Sequence, residues 1–583
     1  MKPWLTLALI LSGVTPALSQ LTTDQKVVDF QTMAATYSKR YAPYEWKKQA
    51  LQFDLLNIAP WLDKVKASKS DLEYFEVALQ YVANLQDTHS QFQMNSNFAA
   101  DLGLSVDIYD GKIVIEAINR AVLPSSKFPF QGGDELASLD GKSAEDWITE
   151  LSRFRRWGNP QTTRRYAANA ITFRLQSLYP RAVELGESAA VGIRRANGDL
   201  ETYTLPWTKT GFPVTKVGPV PRLAGSAANT AKARVQSQSD DSVPEYLRPL
   251  LEWKNWAMPD DPSLTTGLLW DEDSGQMLPR KYVLGLGSRN PAFALPASFV
   301  QRLGKPGDFH MTGTYTAGNH KIGYIRVPSF SPPSTFAAVS EIAAEIAFMQ
   351  QNTDGLVVDV MRNPGGGCYM LTLASFLIPT ENFYFFGEYL RPTQNLLNSY
   401  KSTVDQLTAL RADQWIIDIY TGYYEQIKQA YFENRGVTGS IPACSPSFEN
   451  SPAKDNRGAV LAYTKPIITL IDEFSISAAD IFPSMMQDNR RGLLVGMRTS
   501  GGGGSVSGYP LGYSEAVYTN TNTLVIRKNP IVTSDLPTAP FVENIGARPD
   551  VQLDFMTIEN LLTRGRPFVD AFTQILVNQI EGR

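Results

Sequence analysis

The chain has 583 residues, of which 43% are hydrophobic and 19% charged, with a formal net charge of -4. That length exceeds one ordinary core and predicts about three or four domains, with enough buried surface to need no disulfide framework. The nearly balanced charge gives no electrostatic basis for a nucleic-acid partner or an anionic membrane surface, and polyanions are poor substrate candidates.

At the N-terminus, Lys2 precedes an apolar run at residues 4–10, and Ala17-Leu18-Ser19 closes the segment before Gln20. Residues 1–19 read as a cleavable signal peptide, predicting a secreted or periplasmic protein. The other reading is an uncleaved anchor, against which the run is short and broken by Gly13 and Pro16. No later stretch reaches the roughly 20 uninterrupted apolar residues of a membrane span. Cys368 and Cys444 can pair in an oxidising compartment, but their separation in sequence says nothing about distance in space.

Residues 20–97 predict a helical N-terminal domain. Ser70 and Glu73 form a capping-box signature, and Leu72, Phe75, Leu79, Val82 and Leu85 then mark one apolar face. The pattern stops near Asp87-Thr88-His89, which puts a histidine on the loop at the helix exit. Residues 98–210 change to strand chemistry, with a hairpin turning at Asp110-Gly111 and another at Asn197-Gly198. The order of elements, and the run Gly133-Asp134-Glu135-Leu136 to Leu139-Asp140-Gly141-Lys142, resemble a PDZ domain, interrupted by a helical insertion at 151–185. The resemblance implies a polypeptide ligand added as a strand to a sheet edge; the alternative is a small β module that only packs against its neighbour. The seven arginines between Arg153 and Arg181 read as a solvated face.

Residues 211–305, rich in Pro, Ser, Ala and Gly, read as an irregular connector. From 306 to 583 the pattern is α/β. A strand at 321–327, a helix at 336–349 and a doubly buried strand at 355–360 open onto Asn363-Pro364-Gly365-Gly366-Gly367. After a helical insertion at 381–455, a second unit has a strand at 466–471, a helix at 477–488 and a returning strand at 492–497.

Ser477 stands where a buried strand turns into a helix, so its hydroxyl meets the positive end of the macrodipole and the next amide, Ala478, is available to an oxyanion. Taken alone, the position reads as an N-cap serine. The glycine loop at 365–367 adds amides that can approach a reacting carbonyl. Together with Asp488 and Arg490 in "QDNRR", these stretches resemble the C-terminal processing peptidases, or tail-specific proteases, and their tricorn relatives. The resemblance implies a crotonase-like catalytic domain, Ser477 as nucleophile, and an oxyanion hole of Gly365, Gly366 and Ala478. Tail-specific members carry a lysine base in a "T-F-G-K-G" run beyond the nucleophile, where this chain reads Thr499-Ser500-Gly501-Gly502-Gly503-Gly504-Ser505. A serine without a base is a poor nucleophile, so either another residue serves or the protein is catalytically inactive.

The histidines are His89, His310 and His320. His89 is similar to the histidine of the tricorn and chlamydial protease branch, where a hydroxyl residue precedes it, matched by Thr88; Glu543 is the expected third member, orienting the imidazole. His310 and His320 match no motif and read as structural. A serine-lysine variant through Lys528 has no motif support. The sequence has no HExxH and no CxxC pair, so neither a metal nor a cofactor is expected. Residues 501–504 lack the Gly-Lys-Ser/Thr of a phosphate loop and read as a flexible flap or turn.

The expectation is therefore an exported serine endopeptidase acting on polypeptides through an acyl-enzyme, with no nucleic-acid partner and a homodimer left open. Its rival is an inactive peptide- or ligand-binding protein on the same scaffold. By likeness to the chlamydial relative, residues 225–300 are expected to act as an inhibitory segment that is cut on activation.

Overall fold

The computed structural model describes residues 20–217, 268–271, 276–279 and 283–583. The expected signal peptide and most of the expected inhibitory segment lie outside the described residues. Helices Thr23–Arg40, Tyr44–Leu51, Ala59–Ala67 and Asp71–Ala83 open the described chain. Ser70 Oγ caps the last of them, accepting from the Glu73 amide at 3.2 Å. The Glu73 carboxylate turns instead to Lys69 N at 2.6 Å, so the capping box is not reciprocal. Leu72, Phe75, Leu79, Val82 and Leu85 are buried in one cluster with Phe30, Met33 and Tyr37, which is what the apolar spacing requires. This layer is docked on the C-terminal half of the chain, because strand Phe92–Gln93 pairs with Val517–Thr521 and Tyr37 Oη donates to Thr519 O at 2.7 Å.

Next comes an antiparallel sheet ordered Leu104–Tyr109, Lys112–Ile118, Glu135–Leu139, Ser188–Arg194, Leu200–Pro206, with Lys142–Ser143 also paired to the third strand. The insertion at 151–185 holds helix Pro160–Thr172, but it ends in strand Phe173–Leu175 and a 3-10 turn at Pro180–Glu184 rather than in further helix. Its arginines correct the expectation of a solvated face: Arg155, Arg165 and Arg174 are buried. Arg165 explains why, since its guanidinium meets Asp107 at 3.0 and 2.7 Å and reaches Glu473 in the C-terminal domain at 3.0 Å. A planar fork with five donors can serve two carboxylates at once.

The C-terminal domain is built on a seven-stranded sheet ordered Val300–Leu303, Met311–Ala317, His320–Arg326, Gly355–Asp359, Ile467–Ile471, Leu493–Gly496, Val551–Gln552. The first pairings are antiparallel and those from His320–Arg326 onward are parallel. Residues 300–303, expected within the irregular connector, are therefore its edge strand. Alternation along the strands sorts the core: Leu356, Val358, Ile467 and Ile471 pack with helices Thr335–Asn352 and Ala478–Asp488. Val357, Ile468 and Leu470 face the other way, onto Phe568, Phe572 and Leu576 of the terminal helix Arg566–Ile580. Residues 381–455 form the helical hairpin Gln394–Ala409 and Gln414–Phe432, flanked by short strands. Cys368 and Cys444 are joined in a disulfide that fastens the start of helix Tyr369–Leu377. Among the described residues no helix is long and apolar enough to cross a membrane.

The antiparallel-sheet domain and the C-terminal domain share a core. Phe474 and Ile476, from the loop before Ser477, are fully buried in one cluster with Val106, Ile115 and Leu136 of the antiparallel sheet. Arg165→Met should strand Asp107 and Glu473 as buried unpaired carboxylates, lowering stability by about 3–5 kcal/mol. Denaturant titration checks this, and adding Asp107→Asn with Glu473→Gln should recover most of the loss; no change on Arg165→Met would contradict the role given to this bridge.

Candidate active site

Two strand-to-helix loops meet at the carboxyl ends of neighbouring parallel strands. Ile476 N donates to Asn363 O at 2.9 Å, and Arg362 N donates to Asp472 Oδ1 at 2.8 Å, so the two turns are joined by one backbone bond and one bond to a buried carboxylate. Ser477 ends the second turn with φ 58 and ψ -116, a left-handed value that a side chain rarely adopts. Such a conformation costs on the order of 1–3 kcal/mol and persists only when its surroundings enforce it. Here Asp480 enforces it, accepting from Ser477 N at 2.7 Å. The Ser477 hydroxyl is buried and has no hydrogen-bond partner.

Gly365 lies directly against this serine. With φ +96, a Cβ at Gly365 would stand 2.6 Å from both Ile476 O and Ser477 Cβ, so only glycine allows the approach. Its amide, however, donates to Asn363 Oδ1 at 2.8 Å, which removes it from the expected set of oxyanion donors. Among the described residues, the amides of Gly366 and Ala478 donate to no partner, and Ala478 is the first residue of its helix.

His89 is brought to the same region by a loop tied down at many points. The Asp87 carboxylate accepts from His89 N at 2.8 Å, from Ser90 N at 3.1 Å and from Tyr41 Oη at 2.8 Å, an Asx-type turn that fixes the loop. Thr521 Oγ1 donates to the same carboxylate at 2.9 Å, and Gln91 and Thr519 exchange two bonds. Both ring nitrogens of His89 are buried without a partner. Burial holds the imidazole below its ordinary value, opposed by Asp87 and reinforced by Lys47.

The segment 499–503 joins serine and histidine. Asp480 accepts from Gly501 N at 2.7 Å and Gly502 N at 3.2 Å, while Ser500 N donates to Ser475 O at 3.0 Å. On its other side Ser500 Oγ lies 3.1 Å from Thr88 Oγ1, and a Cβ on Gly502 would stand 2.6 Å from Thr88 Cβ. The run read as a flexible flap is thus a buried, hydrogen-bonded joint whose glycines allow close packing. Burial pushes the Asp480 carboxyl up to about 7, although Thr499 and the amides of Gly501, Gly502 and Ser477 pull the other way.

Glu543 stands apart from His89. Its carboxylate pairs with Lys47 and accepts from Gly503 N at 3.3 Å, and it makes no hydrogen bond to the imidazole. Burial raises its pKa, with Asp87 adding and Lys47 opposing. Thr88 Oγ1 shares its hydrogen bond with Ser500 Oγ. Of the residues outside the expected site, His310 is buried between Glu341 and Tyr369 at 2.8 and 2.9 Å. His320 meets Glu581 at 3.1 Å, and Lys528 is exposed over the Tyr384 ring. Asp488 is paired with Arg527 at 2.7 Å. Among the described residues no group of side chains is arranged to hold a metal ion. Lys47, Asp87 and Asp480 escaped the sequence reading; a carboxylate two residues before the histidine and one three after the serine were the visible signals.

Residues 321–533 match peptidase family S41, and residues 99–213 match a PDZ domain. A Chlamydia pneumoniae protein is 24% identical over 98% of this chain and 93% of its own length. A Chlamydia trachomatis protein is 24% identical over 88% and 86%. Among solved structures, mature CPAF superposes with a TM-score of 0.73 at 21% identity, covering 96% of this chain and 98% of that one, which establishes a shared fold. The same protein complexed with lactacystin gives 0.72 at 21% identity, over 96% and 99%. Residues 321–533, which carry the strained serine and its glycine loop, are thus a peptidase S41 family domain beside a PDZ domain, and the chain is a serine peptidase.

Proposed function

We infer that the protein is an exported endopeptidase in which Ser477 attacks the scissile carbonyl and His89 takes its proton. The carrying observation is the pair of buried, unpartnered reactive groups, Ser477 Oγ and the His89 ring, on two loops joined through residues 499–503. In the first step the Ser477 Oγ–H bond breaks, its proton moves to His89, and Oγ bonds to the carbonyl carbon. The resulting oxyanion is held by the amides of Gly366 and Ala478, with Gly365 giving the loop its close approach. Collapse expels the amine, which takes the proton from His89, and leaves an acyl-enzyme that water hydrolyses by the same route.

A lowered His89 pKa suits this role, because the base must be neutral at working pH. A strained serine backbone supports an enzyme over a pure binding scaffold, which has no use for the cost. The crotonase-like description of the sheet and the part of the helical N-terminal domain in carrying His89 belong to the same reading. Export is supported by the composition of residues 1–19 and by the Cys368–Cys444 disulfide, a bond typical of oxidising compartments. Residues 225–300 are the segment whose cleavage would release activity.

Treatment of the chain from residue 20, cleaved within residues 225–300, with a fluorophosphonate should label Ser477, and His89→Ala should slow labelling at least about 100-fold. Labelling that persists in Ser477→Ala would reject the assignment, as would equal labelling without His89. Because the imidazole stays neutral to lower pH when its pKa is depressed, the acid limb of kcat/KM should have its midpoint below about 6.5. A midpoint above that value contradicts His89 as base. Gly365→Ala should cut turnover about 100-fold by displacing Ser477, while circular dichroism shows a folded chain; wild-type turnover would show that the close approach is dispensable.

A further inference from the structure

We propose that Lys47 is a positioning residue of the catalytic machinery, the clamp through which Glu543 and the histidine loop are held in register. The proposal rests on the reading of Ser477 and His89 given above. Lys47 lies on helix Tyr44–Leu51, far in sequence from either loop, and its side chain is fully buried. Its ammonium has three donors and finds three acceptors: the Glu543 carboxylate, Asn544 Oδ1 at 2.7 Å and Gln86 O at 3.0 Å. The first two belong to the loop carrying Glu543, and the third to the residue that begins the loop carrying His89.

The surroundings are built to the same end. Trp46, the neighbouring residue, donates Nε1 to Glu543 O at 3.0 Å and to Asn544 Oδ1 at 3.1 Å. Asn544 Nδ2 donates to Gln86 O at 2.9 Å, closing a ring of contacts with Lys47. Gln86 and Asn544 both carry left-handed backbones, with φ of 46 and 62, so each loop turns sharply at the residue Lys47 holds. From Gln86 the chain passes at once to Asp87, whose carboxylate fixes the His89 amide. The other Glu543 oxygen accepts from Gly503 N, in the joint that leads back to Ser477.

This arrangement accounts for the separation of Glu543 from His89. The carboxylate acts on the histidine loop through the ammonium and the Gln86 carbonyl instead of through the imidazole. The charged and titratable groups around the node are Lys47 from the second helix, Asp87 from the histidine loop, Glu543 from its own loop, and Tyr41 from the segment before the second helix. Lys47 is the cation among them, and it opposes protonation of His89.

The test compares Lys47→Met, Glu543→Gln and the double variant in the chain from residue 20, each cleaved within residues 225–300, using fluorophosphonate labelling of Ser477 from pH 5 to pH 9. Lys47→Met should slow labelling on the order of 100-fold and move the acid limb to higher pH. The double variant should label no more slowly than the weaker single variant, because the two side chains act as one unit. Its thermal midpoint should exceed that of Lys47→Met, since no buried carboxylate is left unpaired; a fold lost in the single variant is therefore read in the double. Labelling of Lys47→Met at the wild-type rate and pH profile overturns the proposal alone, as do single losses that multiply in the double variant. Failure of the wild type to label at Ser477 overturns the functional reading itself.

Discussion

The buried carboxylate of Asp480 is the interaction on which the site depends. It gathers the amides of Ser477, Gly501 and Gly502, and so fixes the strained serine and the glycine segment with one side chain. Hydrogen bonds to a charged acceptor contribute about 1.5–3 kcal/mol each, against a burial cost of several kcal/mol for the carboxylate. Burial outweighs the bonds, which is why the carboxyl is pushed up to about 7. The same contacts turn residues 499–503 into a wall that Thr88 packs against, so the orientation of the nucleophile and the docking of the histidine loop are one problem with one solution.

Docking is secured on several sides. The N-terminal helices add a strand to the hairpin beyond the glycine segment and insert Lys47 between two loops. The PDZ domain receives Phe474 and Ile476 into its own core and holds Glu473 through Arg165. Burial pushes the Glu473 carboxyl up to about 7, and Arg165 offsets only part of that. The nucleophile loop is consequently shared among domains. Motion of the PDZ domain relative to the sheet would be felt within a few residues of Ser477.

Much of this was legible in the sequence where the signal is local. The serine at a strand-to-helix turn, the glycine loop and the histidine at a helix exit are each defined within a few residues, and the structure brings their loops together. What escaped depends on long-range pairing. Lys47 looks like one more charge on a short helix until Glu543 and Gln86 are folded against it, and nothing near position 165 signals two carboxylates from separate domains. Residues 501–504 were misread because glycine reports freedom and close packing alike; only the Thr88 side chain lying against Gly502 separates them. Glu543 is named from the resemblance as a partner of the imidazole, a template that gives no hint of its bond to Lys47.

The central claim is that Ser477 and His89 form one reactive pair across a domain boundary. A crystal structure of the fluorophosphonate adduct of the chain tests it most directly. The account predicts phosphorus bonded to Ser477 Oγ, a phosphonyl oxygen accepting from the amides of Gly366 and Ala478, and a His89 ring nitrogen within hydrogen-bond distance of the adduct. An adduct on a different residue, or one at Ser477 with His89 turned away and another base in contact, would contradict it.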